Sequence, residues 1–514
     1  MGLFPGHAVG VPGHGGGRQA VLRVRPRLAL VCALGLATQT QAAPLERSAR
    51  RAPSPLGERD GERGESRLAY SLVTTKAPAP TDIPALIPQD PCAWRDFPLS
   101  PTLPPRGEGA ESGAIATLRA RLTAMVDAGE IPNAQILITQ NGAPLAAFRL
   151  GYSDIASKAP LPEDAIFRLY SMTKPITSVA IMMLAEEGRL SLEDPVGQYL
   201  PDLAGLRVYD PAAAAAAPDA DPVRTVPPAR AVTIEDLLFH ASGITYEFMG
   251  DTPVHRYYRR HGVSRATAAT SGRDQAPPAA TLADLVARLG KAPLLHQPGE
   301  RFSYGFSTTV LGAVIERVSG ETLDDFYQRR IFDPLEMRDT RFVIDDARVP
   351  RLVANTLATP SGLKPQESAA TSEYRDPTRL RDAGGGLAGT IEDYRHFAEM
   401  LANRGTWHGR RLLKPETVDA MFTPRLRTGG APEEDSMFGY GLALGDAETE
   451  AKGGLPRGAG SWAGSGNTYF FADPDRKLVA ILMTNMLTPG PMAKRTYELR
   501  ALVNKAALGM TRQE

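Results

Sequence analysis

The sequence predicts an α+β fold in which the two ends of one domain close a sheet and a mostly helical lobe is inserted between them. Near the start of that domain, the strand-like runs QILITQ and APLAAFRLGY flank Asn141-Gly142, which is the strongest short hairpin signal. Near its end, NTYFFAD and LVAILMT flank a turn at 474–476. Helix patterns and loops fill the interval, so the two hairpins are expected to meet in one sheet.

Composition narrows the class of protein. The chain has 514 residues, with 58 Lys and Arg against 58 Asp and Glu, and therefore no formal net charge. This balance gives no electrostatic case for binding nucleic acid or a membrane surface. Two cysteines are too few for a disulfide framework or a thiolate zinc site, and no run reaches the roughly 18 apolar residues of a membrane span. A soluble enzyme or binding protein of at least two lobes is predicted.

The first 113 residues differ in composition from the rest. Arginines at 23, 25 and 27 precede an apolar run at 28–37, and small residues follow at 41–43. This order is typical of a secretory signal, so residues 1–43 are predicted to be a signal peptide with an extended N-region, and the protein to be exported (periplasmic or secreted). A short buried helix is the alternative for this run. Residues 44–113 are rich in Pro, Gly, Arg and Glu and are predicted to be a disordered linker. The catalytic or binding domain is then 114–514.

Sequence patterns predict the local structure of two further segments of that domain. Apolar residues recur at helical spacing over 115–128, and Gly129 is a suitable stop. Residues 210–231 are Pro-rich with six consecutive alanines. Six residues flanked by prolines are too few for a stable helix, so this insert is predicted to be a surface excursion.

The pattern Ser-x-x-Lys occurs twice, and its context separates the two copies. Ser361 and Lys364 lie in TPSGLKPQ, where two prolines and a glycine indicate a loop. Ser171 and Lys174 open SMTKPITSVAIMMLAEEG, which has an apolar helical face and ends at a glycine.

The second context suits an acyl-transfer nucleophile. Residues three apart share a helix face, so Lys174 can reach the Ser171 hydroxyl. The start of a helix offers free N–H groups and a partial positive charge to an oxyanion. Lysine accepts a proton only when neutral, so burial would have to lower its pKa far below about 10.4. On spacing alone, a helix-capping serine beside a solvated lysine remains the alternative.

Other chemical motifs are absent or fail in context. The chain contains no G-x-S-x-G, H-E-x-x-H or C-x-x-C, and no two histidines have metal-ligand spacing. Residues 384–389 match G-x-G-x-x-G, but no buried strand precedes them, so a dinucleotide site is not predicted. A Gly-rich loop leading to a helix capped by Thr390 and Asp393 is the expected structure.

Two further stretches complete a recognisable series. Tyr304 lies in RFSYGFSTTVLGAVIERVSG, just before an amphipathic helix pattern, and Trp462 and Gly464 lie in GSWAGSGNTYFF, at the head of the last hairpin. In the order S-x-x-K, Tyr, W-x-G, residues 115–510 resemble the serine β-lactamase-like superfamily. Within it they are most similar to the family VIII carboxylesterases, relatives of class C β-lactamases. The resemblance implies a β-lactamase/transpeptidase-like fold: an antiparallel sheet flanked by helices, with the site between the sheet and the helical lobe.

The resemblance also implies roles for individual residues. Ser171 would be the nucleophile that forms an acyl-enzyme. Lys174 and Tyr304 would be the general-base pair, with Tyr304 also protonating the leaving group and activating the deacylating water. The backbone N–H groups of Ser171 and Ser465 would form the oxyanion hole. No metal or organic cofactor is required by this chemistry.

Departures from the pattern bear on the substrate. β-Lactamases and penicillin-binding proteins have an Asn two residues after the Tyr or Ser of the second motif, where this chain has Phe306, and a Lys or His at the start of the third, where it has Trp462. Both changes remove groups that hold an anionic amide. With Gly464, these residues are the predicted substrate-binding set, and a neutral carboxylic ester is favoured as the small-molecule substrate.

Three functions remain in order of preference. An exported serine carboxylesterase comes first. A β-lactamase or D-amino peptidase acting on cell-wall-type amides is second, and a non-catalytic binding or scaffold protein with the same fold is third. Four aromatic residues, Tyr246, Phe248, Tyr257 and Tyr258, either line the pocket or pack between loop and core, with packing preferred for most of them.

Overall fold

The computed structural model describes residues 112–215, 223–265, 276–429 and 435–511. The predicted signal peptide and nearly all of the predicted linker therefore lie outside the described residues. The first helix begins at Gly113, where the Ser112 side chain accepts a hydrogen bond from the Ile115 amide, and ends at Asp127. Gly129 follows with a φ of +66°. The helix predicted over 115–128 is thus confirmed with a start two residues earlier.

The described strands range from two to twelve residues. In chain order they are β1 (Asn133–Gln140), β2 (Ala143–Asp154), β3 (Ala159–Pro160), β4 (Phe167–Arg168), β5 (Val208–Tyr209), β6 (Thr225–Val226), β7 (Asn355–Thr359), β8 (Gly362–Glu367), β9 (Ala388–Gly389), β10 (Thr406–Trp407), β11 (Arg410–Arg411), β12 (Leu426–Arg427), β13 (Met437–Phe438), β14 (Ala443–Leu444), β15 (Gly460–Ala463), β16 (Tyr469–Asp473), β17 (Leu478–Met483) and β18 (Met486–Leu487).

The largest sheet joins the two ends of the domain. Its strand order is β12-β13-β14-β15-β16-β17-β1-β2-β3, and every neighbouring pair is antiparallel. The pairing of β1 with β17 runs from Gln135 opposite Met483 to Gln140 opposite Leu478. The predicted closure of the sheet by the first and last hairpins is therefore confirmed.

The first hairpin turns where the sequence predicts. Asn141 and Gly142 both have positive φ, at 51° and 76°. A two-residue turn with positive φ at both positions has the twist that antiparallel strands require, and Asn-Gly adopts it with little strain. This turn fixes the register of β1 against β2 and hence which side chains of β1 face each side of the sheet.

The described α-helices surround and extend this sheet. They are α1 (Gly113–Asp127), α2 (Thr173–Glu186), α3 (Val196–Tyr199), α4 (Pro211–Ala215), α5 (Ile234–Leu238), α6 (Pro253–Arg260), α7 (Leu282–Leu289), α8 (Ser307–Ser319), α9 (Leu323–Tyr327), α10 (Ile391–Ala402), α11 (Pro415–Met421), α12 (Ala447–Ala451) and α13 (Lys494–Thr511).

Both faces of the sheet are covered by helices. Ile136 and Ile138 of β1 belong to an apolar cluster with α1 and α13, whereas Leu137 belongs to the cluster that contains α2 and α10. This alternation follows from the two-residue period of a strand. Because each face has its own apolar layer, the predicted antiparallel sheet with flanking helices is confirmed.

The inserted lobe lies between the strands of the two ends. Its helix α8 contacts α2, α5 and α7, and their buried residues continue the core on the α2 side of the sheet. The predicted surface excursion is exposed at 211–213, but the prediction that its alanine run forms no helix is wrong. Residues Pro211–Ala215 form a single helical turn, because the Asp210 carboxylate accepts hydrogen bonds from the amides of Ala212 and Ala213 and so caps it.

Candidate active site

Ser171 lies where the sheet meets the helical lobe. A 3₁₀ turn over Tyr170–Met172 leads directly into α2, so Ser171 lies two residues before the start of that helix. Tyr170, the residue before it, has a φ of +47°, a conformation that a bulky L-residue adopts only when its surroundings enforce it. The Ser171 residue is 6% exposed, so its hydroxyl lies in a nearly dry environment.

Lys174 lies next to Ser171, as the three-residue spacing predicts. Its Nζ is 3.2 Å from the Ser171 Oγ, 3.2 Å from the Tyr246 Oη and 2.6 Å from the Gly384 carbonyl oxygen. The residue is 1% exposed. Burial, and next the Arg265 guanidinium, hold the pKa of Lys174 well below its usual value, while Asp382 acts in the opposite direction. The solvated lysine considered from spacing alone is therefore wrong.

Tyr304 comes to the same place from the segment before α8. The Lys174 Nζ stands 4.6 Å from the centroid of the Tyr304 ring. Burial raises the pKa of Tyr304 to about 12, and the nearby Ser171 hydroxyl and Trp462 indole partly offset this rise. The Tyr304 hydroxyl makes no hydrogen bond of ordinary geometry with any described residue. The three residues of the predicted catalytic set are thus brought together.

The W-x-G segment forms another wall of the site. Trp462, on β15, has its ring 5.6 Å from that of Tyr304 and 5.1 Å from that of Phe438. Its indole N–H is buried and has no hydrogen-bond partner in the part of the chain that is described. A Cβ on Gly464 would lie 2.4 Å from the Leu169 carbonyl oxygen, so only glycine fits there. This close approach brings the Ser465 segment against the backbone that leads into Ser171.

Phe306, predicted to bind substrate, has no exposed surface with which to contact one. Its side chain is fully buried, and its ring packs edge-on against that of Tyr246 at 4.6 Å. Phe306 therefore supports Tyr246 from the core and supplies no polar group to the site.

Tyr246 is the site residue whose contact sequence reasoning missed. The sequence places it among four aromatic candidates without distinguishing it, whereas in the structure its hydroxyl contacts the Lys174 amine. Burial raises the pKa of Tyr246 well above its usual value, so its hydroxyl is protonated. No local sequence pattern predicts this contact, because the two residues are 72 positions apart.

The Gly-rich segment at 384–389 supports Lys174. No strand directly precedes its glycines, so the segment lacks the strand that a dinucleotide-binding site requires. The Asp382 carboxylate accepts hydrogen bonds from the Thr309 hydroxyl and the Gly384 amide, at 2.7 and 2.8 Å, and pairs with Arg265 at 3.1 Å. These contacts fix the loop that presents the Gly384 carbonyl to Lys174. The loop then enters α10, which Thr390 caps as predicted, by accepting from the Asp393 amide.

Other candidate chemistry lies elsewhere or is not found. Ser361 lies in the exposed turn between β7 and β8, and Lys364 on β8 is also exposed, so the second Ser-x-x-Lys pair is a surface hairpin. Over the described ranges, no group of three or more His, Cys, Asp or Glu is arranged to hold a metal ion. None of the helices described has both the length and the apolar character to cross a membrane.

Comparison with known proteins identifies the family. The beta-lactamase family model matches residues 118–505. The chain belongs to the beta-lactamase family. The likeness inferred from S-x-x-K, Tyr and W-x-G is therefore confirmed, as is the fold it implies.

Relatives within the family include an esterase. Protein Rv1367c of Mycobacterium tuberculosis is 33% identical over 380 residues, covering 71% of this chain and 88% of the relative. Esterase EstB of Burkholderia gladioli is 29% identical over 409 residues, covering 76% of this chain and 95% of the relative. Among solved structures, EstCE1, described as a hydrolase with promiscuous acyltransferase activity, has a TM-score of 0.63 at 25% identity and covers 76% of this chain and 98% of its own.

These members of the beta-lactamase family establish the general class of activity. The protein is an enzyme of the serine hydrolase type, in a family that includes esterases and acyltransferases. The expectation of a non-catalytic scaffold is not supported.

Proposed function

We propose that the protein is a serine carboxylesterase that hydrolyses neutral esters through an acyl-enzyme on Ser171. The observation that carries this proposal is the buried Lys174 amine, 3.2 Å from the Ser171 Oγ, in surroundings that disfavour its charge. A serine hydroxyl becomes an effective nucleophile when an adjacent base can take its proton. Lys174 is that base in this proposal.

The contacts of Lys174 match a neutral amine. An amine has two N–H donors and one lone pair, and three oxygens surround the Nζ. The Gly384 carbonyl can only accept, and the Tyr246 oxygen can accept as well. The two N–H groups then point to these oxygens and leave the lone pair for the Ser171 proton.

Tyr304 acts as the acid in the same cycle. Its pKa of about 12 keeps the phenol protonated near neutral pH, so it gives its proton to the departing alkoxide while Lys174 holds the proton from Ser171. Lys174, over the Tyr304 ring, then returns a proton to the phenolate. In the second half, water attacks the acyl-enzyme, its proton passes to this pair, and Ser171 regains its hydrogen. The balance is ester and water to acid and alcohol.

The oxyanion is assigned to the amides of Ser171 and Ser465. The approach of Gly464 to the Leu169 carbonyl brings both segments to one place, and the start of α2 favours negative charge there. Backbone donors held in position before the reaction are a large source of rate enhancement in acyl transfer.

The walls of the site support a neutral ester. Trp462, Phe438 and Phe302 form a cluster of rings with Tyr304. The two phenylalanines offer apolar surface, and the indole N–H of Trp462 adds one uncharged donor. The nearby cation, Arg265, is already paired with Asp382. Esterase EstB, by its name, acts on esters, which agrees with this substrate class.

Acyl transfer to an alcohol is a second candidate. EstCE1 is described as having promiscuous acyltransferase activity, and an alcohol in the place of water would accept the acyl group by the same proton transfers. Product analysis in the presence of an added alcohol separates transfer from hydrolysis.

The nucleophile is tested by labelling and by kinetics together. The purified protein should hydrolyse p-nitrophenyl butyrate and be labelled stoichiometrically by a serine-reactive phosphonate. Ser171→Ala should abolish both. The matched control is Ser361→Ala, which removes the serine of the other Ser-x-x-Lys pattern and should leave both unchanged. Labelling at another serine, or full activity in Ser171→Ala, would overturn the proposal.

A further inference from the structure

Tyr170 is a bulky residue held in an unusual backbone conformation directly before Ser171. Its φ of +47° lies in the left-handed region, where glycine or asparagine is the usual residue. Such a conformation persists only where neighbouring structure enforces it. The contacts of the Tyr170 side chain therefore help to hold the backbone that leads into Ser171.

The ring of Tyr170 fills a slot under the loop that follows Trp462. A Cβ on Gly466 would lie 2.9 Å from the Tyr170 Cε2, and one on Gly464 would lie 3.2 Å from the Tyr170 Cβ. The two glycines thus let the loop containing Ser465 rest on the tyrosine. The Tyr170 side chain is therefore in direct contact range of this loop.

The hydroxyl of Tyr170 is fixed from the other side. The Asn355 Nδ2 donates to the Tyr170 Oη at 2.7 Å, across 185 positions of sequence. Asn355 is 3% exposed and begins β7. This strand lies outside the largest sheet and pairs in parallel with β18, which follows β17 in the chain.

The backbone on the N-terminal side of Tyr170 is also held. The Asn485 side chain accepts from the Arg168 amide at 3.0 Å and donates to the Arg168 carbonyl at 3.3 Å. The Thr468 hydroxyl donates to the Leu169 carbonyl at 3.2 Å. The chain is held at 168 and 169, so Tyr170 alone separates these contacts from the Ser171 amide.

We infer that Tyr170 is a positioning residue for acyl transfer: braced by Asn355 and covered by Gly464 and Gly466, it sets the spacing between the Ser171 and Ser465 amides. This inference rests on the proposed function, in which those two amides hold the oxyanion. Donors of this kind must be held to within about 0.5 Å of the productive geometry. Loosening the brace should therefore weaken transition-state binding while leaving substrate binding unchanged.

The test uses two variants that remove the hydroxyl contact and nearly preserve volume, Tyr170→Phe and Asn355→Leu. Each should lower kcat for p-nitrophenyl butyrate by about tenfold, with KM changed by less than about twofold. The inhibition constant of a trifluoromethyl ketone, which forms a tetrahedral oxyanion on serine, should rise by the same factor. Because both variants break one hydrogen bond, the double variant should be no worse than either alone.

A second buried tyrosine–asparagine pair provides the matched control. The Tyr469 Oη donates to the Asn504 Oδ1 at 2.9 Å, and both residues belong to the side of the sheet covered by α13. Tyr469→Phe and Asn504→Leu should lower the thermal midpoint like the test variants and leave kcat and the ketone affinity unchanged.

Failure of the inference about Tyr170 can be distinguished from failure of the proposed function. Test variants that lose stability but keep kcat and ketone affinity, as the control pair should, overturn the inference. If Asn355→Leu does not fold, Tyr170→Phe decides alone, because it keeps the ring. If instead wild type has no esterase activity, or Ser171→Ala retains it, the proposed function has failed, and the kinetics of Tyr170→Phe are not needed to see this.

Discussion

The Lys174 side chain is surrounded by groups that act on its charge in opposite directions. Burial and the Arg265 guanidinium disfavour the ammonium, whereas the Asp382 carboxylate favours it. Arg265 and Asp382 also pair with each other at 3.1 Å. At the scale of single residues, the protonation of Lys174 is therefore adjustable from outside the catalytic set.

Removing the charge of Arg265 should shift the pH dependence of the enzyme. In Arg265→Gln the pKa of Lys174 rises, because a repelling cation is lost and Asp382 is left uncompensated. A higher pKa leaves less neutral amine at a given pH, so the acidic limb of kcat/KM should move to higher pH, by about one unit. Steady-state kinetics followed at the isosbestic wavelength of p-nitrophenol measures this.

The control for that shift is Arg301→Gln, since the Arg301 side chain is 59% exposed and pairs with Glu300. Its profile should match wild type. An acidic limb that stays in place or moves to lower pH in Arg265→Gln would contradict the role given to Lys174.

Tyr304 as the acid predicts a dependence on the leaving group. An alkoxide needs a proton as it departs, whereas p-nitrophenolate leaves without one. In Tyr304→Phe, kcat/KM for ethyl butyrate should fall by about 10²–10⁴-fold and that for p-nitrophenyl butyrate by much less. Tyr152→Phe, at an exposed tyrosine of β2, should change neither. Equal losses on both esters would indicate that Tyr304 does not protonate the leaving group.

At the scale of elements, local sequence patterns predict much of the fold. Strand-like runs around an Asn-Gly turn predict β1 and β2, and the periodicity after Ser171 predicts α2, because each pattern reflects contacts within a few residues. The three-residue spacing on a helix likewise places Lys174 beside Ser171. Tyr304 and Trp462 were assigned by resemblance to a family, since their contacts join distant parts of the chain.

What the sequence did not reveal has a common physical cause. The contact of Tyr246 with Lys174, the brace between Asn355 and Tyr170, and the hydrogen bond from Thr309 to Asp382 all join segments far apart in sequence. The burial of Phe306 was missed for the same reason, because its surroundings come from another loop. Contacts of this kind produce no periodic pattern and no local change in composition from which they could be predicted.

A buried ion pair within α10 is hydrogen-bonded to the central sheet. The Arg395 Nη1 lies 2.7 Å from the Glu399 Oε2, and the Thr139 hydroxyl of β1 donates to the Glu399 Oε1 at 3.0 Å. Glu399→Ala removes a carboxylate from Arg395 and the acceptor from Thr139. The free energy of unfolding should fall by about 3 kcal/mol, while kcat stays that of wild type.

Denaturant unfolding measures this loss, with Glu416→Ala as the control at an exposed position of α11. A Glu399→Ala variant as stable as Glu416→Ala would show that the pair contributes nothing net to the packing of α10.

At the scale of the whole molecule, the catalytic domain closes on itself through the pairing of β1 with β17, and the predicted signal and linker precede it. We propose that residues 1–43 direct export and are removed. Fractionation of the native host followed by mass measurement should find a chain that begins at Pro44 outside the cytoplasm. Replacing the arginines at 23, 25 and 27 with glutamine should retain the chain in the cytoplasm, and an uncleaved chain there in wild type would contradict the proposal.

The proposed esterase mechanism requires that Ser171 carries out ester hydrolysis in a site whose walls suit neutral substrates. Steady-state hydrolysis of p-nitrophenyl acetate, butyrate and octanoate, measured beside nitrocefin for wild type and Ser171→Ala, tests it most directly. We expect ester turnover that Ser171→Ala abolishes, with little turnover of nitrocefin. Preferential turnover of nitrocefin would contradict the argument from Phe306 and Trp462, and ester activity retained in Ser171→Ala would contradict the assignment of the nucleophile.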